Sequence, residues 1–462
     1  MKQESLAARN AAQHLIEFVH ALSLKAVPKT VIDSAKWCLL DSLGCALFGS
    51  RQPWGTIMAD EMLAEGSKGW SSVVGRKQTL AAPAAALCNG TATHGFELDD
   101  LLDEAIVHPG ATIVPAVLAA AEAIEAPGSR LVLGIIAGYE AINRVGLAIG
   151  LEPAKRGHHM TALAGPVGAV VGAGVVMNLG PAELTAAVGL ACSTASGTKS
   201  FAAGTGGGMM KRMHAGRAAE AGVRMSQLAA RGFTAPPTAL DGRLGLLEVF
   251  SGSSARPGEL AADLGEQWAV ERVYVKVYPC CAWIQAMVQQ LVALRGPQPL
   301  EPRQVKKVRI GVSSYAVRNN GNVAPPDTMG AQYSLPYCGA LALTADPTDP
   351  ENYASSAIEN ASRRELARRI DLVVDQEMEA AYPKHYGARV ELELANGERR
   401  SSAVLDPHGM PGDPCTEAER KEKFSRLAAS VLPPQTVKRI VETVARTETL
   451  PSVRDLGGLL RA

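Results

Sequence analysis

The period of the hydrophobic pattern changes twice along this chain, and that change constrains the fold more than any single motif. From residue 5 to about residue 265, apolar residues recur at three- and four-residue spacing, as in Leu15, Phe18, Val19 and Leu22. Such spacing is the mark of amphipathic helices. Near Arg272 the period drops to two. Arg272 to Tyr278, Val305 to Val312 and Ala388 to Leu394 alternate in this way, and each reads as a strand. The third is joined to Arg399–Leu405 through an Asn396-Gly397 turn, as in a hairpin. After Thr416 the helical period returns, with Thr416 as N-cap and Glu419 completing a capping box. The expected fold is mainly α: a large all-helical domain built from both chain ends, residues 1–268 and 410–462, with a smaller α+β lid domain, 269–409, inserted between them.

A chain of 462 residues can bury a core large enough for this division. Its 46 basic and 46 acidic residues cancel, so nothing favours nucleic acid or an anionic membrane, and a small ligand is the expected partner. The eight cysteines include no C-x-x-C pair, which argues against a zinc site or a disulfide framework and for reduced thiols in the cytoplasm. Met1 to Ser5 leads into a polar stretch, so no secretory signal is expected. His159 to Pro181 carries no Lys, Arg, Asp or Glu. With Pro166 and several glycines in it and no aromatic belt, it reads as a buried helix rather than a membrane span.

Four segments could carry chemistry. Thr93 to Asp100, followed by His108-Pro109-Gly110, places two adjacent carboxylates and a histidine in a loop between buried helices, where a rigid scaffold concentrates reactive groups. His158 and His159 stand directly before the uncharged helix, and an imidazole at a buried helix N-terminus stays neutral and able to accept a proton. Gly204 to Gly208 leads into Lys211, Arg212 and His214. It lacks the hydroxyl after lysine that a phosphate loop requires, but it makes a cationic cluster suited to carboxylates. Lys276 to Cys281 ends the first strand of the smaller domain, with vicinal cysteines. No histidine or cysteine spacing fits a metal, so none is expected.

In order and spacing, these segments, with Gly138 to Glu140, Gly189 to Gly197, Gly232 to Thr234 and Tyr333 to Tyr337, resemble the MmgE/PrpD family. The resemblance implies a homodimer and a cleft between the two domains that needs no metal or organic cofactor. It also implies that Asp100, His108, His159 and Lys211 line that cleft, with Thr161, Arg212, His214, Lys276 and Cys281 as further substrate contacts. The activity implied is a cofactor-independent lyase of the 2-methylcitrate dehydratase type acting on a small polycarboxylate. Epimerisation of a dicarboxylic imino or amino acid such as iminodisuccinate and decarboxylation of the cis-aconitate type are the enzymatic alternatives, and a non-catalytic binding protein on the same fold is the contrasting class. Cys280 and Cys281 stand where the decarboxylase branch carries a histidine, which sets decarboxylation behind. In the expected mechanism Lys211, with Arg212 or His214, holds carboxylates, His159 or Asp100 removes a proton, and His108 protonates the leaving hydroxyl.

Overall fold

The computed structural model describes residues 11–203 and 206–462. The expectation for Met1 to Ser5 and the Gly204 end of the glycine run lie outside the described residues. The principal helices of the N-terminal body are α1 (Ala11–Ala21), α2 (Lys29–Ser50), α3 (Pro53–Ala64), α4 (Ala82–Thr93), α5 (Pro109–Ala123), α6 (Gly128–Ile149), α7 (Met160–Val176), α8 (Pro181–Cys192) and α9 (Met209–Ala229). Helix α7 is the uncharged segment after His159, and all but one of its residues are buried. Small residues let its neighbours come close. A Cβ added at Gly172 would stand 2.8 Å from the carbonyl oxygen of Gly134 in α6, so these helices cross backbone to backbone. Among the described residues α6 alone is long and apolar enough to cross a membrane, and most of it is buried inside the protein.

The smaller unit contains α10 (Ala282–Arg295), α11 (Leu335–Thr344) and α12 (Ala361–Arg368). Its strands are β1 (Val305–Val312), β2 (Ile370–Val374), β3 (Ala388–Leu394) and β4 (Arg399–Val404), in the spatial order β2-β1-β3-β4. β1 runs parallel to β2 and antiparallel to β3, with Ile310 opposite both Leu372 and Val390. The hairpin read at Asn396-Gly397 is present as β3-β4, and Gly397 takes the positive φ that the turn requires. Val305, Val308 and Ile310 of β1 are buried in one core with Ile284, Leu291 and Leu341 of α10 and α11.

The chain then returns to the body through α13 (Glu417–Ala428), α14 (Pro434–Ala445) and α15 (Arg454–Leu459). Thr416 and Glu419 form the capping box. Lys423 of α13 reaches Asp41 of α2 at 2.7 Å, and its ammonium also donates to the carbonyl of Leu98 at 2.7 Å.

One strand expectation fails. Arg272 to Tyr278 belongs to no sheet; Tyr274 makes a single bridge to Leu101, and the Val275 amide donates to Gly409. Its alternation arises because the segment is covered on both sides, with Tyr274 and Lys276 buried as completely as Val273 and Val275. It is an extended linker clamped between the acidic loop and the returning chain.

Candidate active site

The loop from His94 to His108 joins α4 to α5 and brings charge into the interior. Glu97 has φ 58° and Ile106 φ 54°, left-handed conformations that cost a non-glycine residue free energy and so tend to mark functional positions. The turn at Glu97 puts its carboxylate, 1 % exposed, between two lysines from distant parts of the chain. Lys211, from the first turn of α9, donates to Oε1, and Lys276, from the extended linker, lies 3.3 Å from Oε2. Tyr333, just before α11, has its hydroxyl 3.2 Å from Lys211 Nζ. Burial raises the pKa of Glu97, but Lys211 and Lys276 outweigh it and hold the carboxyl well below the usual range. Burial lowers Lys211 beyond what Glu97 restores, with Lys276 adding repulsion. For Lys276 burial is outweighed by Glu97 and Asp99, so its charge is held more firmly.

Beside this triad the imidazoles of His108, His94, His159 and His214 form a row. The ring centres of His94 and His108 lie 4.8 Å apart, those of His94 and His159 5.6 Å, and those of His159 and His214 5.2 Å. Asp99 Oδ2 accepts from His94 Nδ1 at 2.6 Å and lies 3.1 Å from His108 Nδ1, which also faces the carbonyl of Asp100 at 2.8 Å. With acceptors on that side, His108 Nδ1 carries the proton and Nε2 keeps its lone pair. His159 Nδ1 pairs with His214 Nδ1 at 3.0 Å. Burial lowers His94 to about 3, and burial together with His94 and Lys211 carries His159 well below the ordinary imidazole value. Burial lowers His108 as well, against the pull of Asp99. These rings are neutral at pH 7, and α7 begins immediately after His159, which adds the positive end of a helix dipole.

His108, His159, Lys211, Lys276 and Cys281 face one cavity of about 370 Å³ lined from both the N-terminal body and the smaller unit, together with Glu97 and Tyr333. Four other expected contacts lie elsewhere. Asp100 points behind the loop, where its carboxylate accepts from the Gly110 amide at 2.8 Å and the Tyr139 hydroxyl at 2.7 Å. Arg212 is spent on structure, donating to the carbonyls of Gly95 and Gly208 and lying 4.8 Å from the Trp54 ring. Thr161 accepts from the His108 amide at 3.1 Å, and His214 stands behind His159. These four hold the cavity wall rather than form it. His94, Asp99 and His108 are close enough together to be weighed as metal ligands. Both Nδ1 atoms, however, converge on one carboxylate oxygen at hydrogen-bond distance, which directs no lone pairs at a common point.

Residues 13–257 match the family model of the MmgE/PrpD N-terminal domain, and residues 278–449 that of the MmgE/PrpD C-terminal domain. The chain belongs to the MmgE/PrpD family. Within that family it is similar to the cis-aconitate decarboxylase-like protein oryM of Aspergillus oryzae, 27 % identical over 98 % of this chain and 97 % of the relative. It is likewise similar to the cis-aconitate decarboxylase of Aspergillus terreus, 27 % identical over 99 % and 97 %, and to that of Homo sapiens, 23 % identical over 96 % and 93 %. At the level of the family these comparisons support an enzyme of lyase type. In this MmgE/PrpD chain the residues that sequence reasoning passed over are Glu97, Asp99 and Tyr333. Glu97 and Asp99 stand in the quoted acidic segment, but only the loop's path shows which carboxylates turn toward the lysines and imidazoles.

Proposed function

We propose that the chain is a cofactor-independent hydro-lyase that removes water from a small hydroxy-polycarboxylate. The observation that carries this reading is a double one at a single cavity: two buried lysines converging on one carboxylate, Glu97, beside two neutral imidazoles. Asp99 offsets the second lysine, so the seat is one of hydrogen-bond donors rather than net charge: the N–H groups that Lys211 and Lys276 have left beside Glu97 are charge-assisted donors to a substrate carboxylate. Lys276, whose charge is firmly held, anchors that carboxylate. His108, fixed by Asp99 and the Asp100 carbonyl, or His159, paired through Nδ1 with His214, presents Nε2 to a proton alpha to a carboxylate. A neutral imidazole has no proton on Nε2 to give until it has taken one, so this reading gives the first proton to the leaving hydroxyl from a group other than His108, the expected donor. Lys211, with its lowered pKa and its hydrogen bond to Tyr333, delivers the proton to the departing hydroxyl.

Decarboxylation of an aconitate-like acid is the second reading, favoured by the names of the full-length relatives. The same lysine seat would hold the remaining carboxylates, and one proton donor would quench the carbanion left by carbon dioxide. Incubation of the purified protein with citrate, 2-methylcitrate and cis-aconitate separates the two. A new conjugated double bond from the hydroxy acids without gas release supports dehydration. Carbon dioxide from cis-aconitate replaces it with the second reading, and no change in any of the three rejects both.

A further inference from the structure

A second chamber of about 600 Å³ opens directly off the inner one. The two share Trp283, Tyr315, Tyr386 and His159 as common wall, and with them Lys155 and Lys199. The inner chamber holds the charged groups and is large enough for a citrate-sized anion. The outer chamber is built differently. Trp283 stands 5.2 Å from the ring centre of Tyr315 and 5.4 Å from that of Tyr386, and Tyr315 stacks on Tyr382 at 5.3 Å with planes 17° apart. Leu151, Met160 and Met410 complete its apolar surface. Its charged lining is mixed, with Lys155, Lys199, Arg272 and Lys384 set against Asp103, Glu104 and Asp406, all half-buried or exposed. A vestibule that only admitted a small anion would need one sign of charge along its walls, whereas here cations and carboxylates alternate around a continuous aromatic and aliphatic surface. An aromatic and aliphatic wall continuous with a carboxylate seat is the form of a site for a ligand with one charged and one apolar end.

We propose that the substrate is a polycarboxylate bearing an apolar chain of several carbons, whose carboxylates lie with Lys211 and Lys276 and whose chain passes His159 and Trp283 into the outer chamber. The inference rests on the carboxylate-seat reading of the inner chamber. It is tested on the purified protein with citrates substituted at C2 by hydrogen, methyl, butyl and hexyl groups for turnover, and with 2-alkylsuccinates of matching chain length, which have no hydroxyl to lose, for calorimetric binding. Each methylene that enters an apolar wall should tighten binding about fourfold, so kcat/KM should rise at least tenfold from hydrogen to hexyl. Leu151→Trp and Met410→Trp, which fill only the outer chamber, should abolish that rise while leaving the unsubstituted acid within about twofold of its rate. Turnover that is equal or slower with the longer chains overturns the proposal and leaves the lyase reading intact. Chain-dependent binding of the succinates without turnover of any citrate upholds the chamber and removes the reaction instead. Binding that does not vary with chain length rejects the apolar end whatever the citrates do.

Discussion

Asp99 and Asp100 are neighbours in sequence with opposite duties. In an extended loop successive side chains point to opposite sides, so Asp99 meets His94 and His108 while Asp100 meets Tyr139 and the Gly110 amide. The resemblance points to Asp100 as the carboxylate of the cleft, whereas neither aspartate lines the cavity and it is Asp99 that reaches the imidazoles. Asp99→Asn should lower kcat at least tenfold, a loss of about 1.4 kcal/mol of barrier stabilisation, because the amide no longer fixes the His108 tautomer. Asp100→Asn should keep kcat within about threefold, since the Asp100 contact to His108 is through its backbone carbonyl. Equal losses in the two variants would sink this division of labour. The same imidazoles set the pH profile. A base whose pKa is lowered stays unprotonated to lower pH, so the acid limb of kcat/KM should fall below 6.5, the ordinary histidine value, and the basic limb, reporting loss of the Lys211 proton, should fall below 10.5. An acid limb at or above the ordinary histidine value would remove both rings from the role of base.

At the scale of elements, α9 is the part on which the site depends most, since its first two turns carry Lys211, Arg212 and His214. It can approach α4 only because Gly216 has no side chain there. A Cβ at that position would stand 2.2 Å from Thr91 Oγ1 and 2.5 Å from the Leu87 carbonyl oxygen. Gly216→Val should therefore cost about 1–3 kcal/mol of stability through overpacking and also reduce kcat, because Lys211 moves with the helix. The shift of the urea midpoint measures the first and initial rates the second; unchanged values for both would show that the two helices are not locked together here. The helices and the β3-β4 hairpin were legible because amphipathic period and turn chemistry are local. Arg272 to Tyr278 was misread because period two reports alternation of residue type and not a hydrogen-bonded partner. Glu97 left no trace in the sequence as a site residue, since its partners lie 114 and 179 positions away.

At the scale of the whole molecule, the ion pair of Lys423 with Asp41 makes the acidic loop depend on the chain's far end, because the same ammonium holds the Leu98 carbonyl. A chain ending at Cys415 should lose turnover entirely, and adding residues 416–462 as a separate polypeptide should restore part of it. Full activity of the shortened chain would show that the loop holds its shape unaided. The same contact imposes an order in time. Synthesis runs from the N-terminus, so the face of α2 that α13 covers is made early and stays bare until residues 417–428 have been added. During that interval the growing polypeptide carries an unsealed apolar seam and no working centre, the kind of exposed surface that favours aggregation until it is covered. Catalytic competence is then acquired in one late step, so premature termination yields inert protein rather than a partly active enzyme.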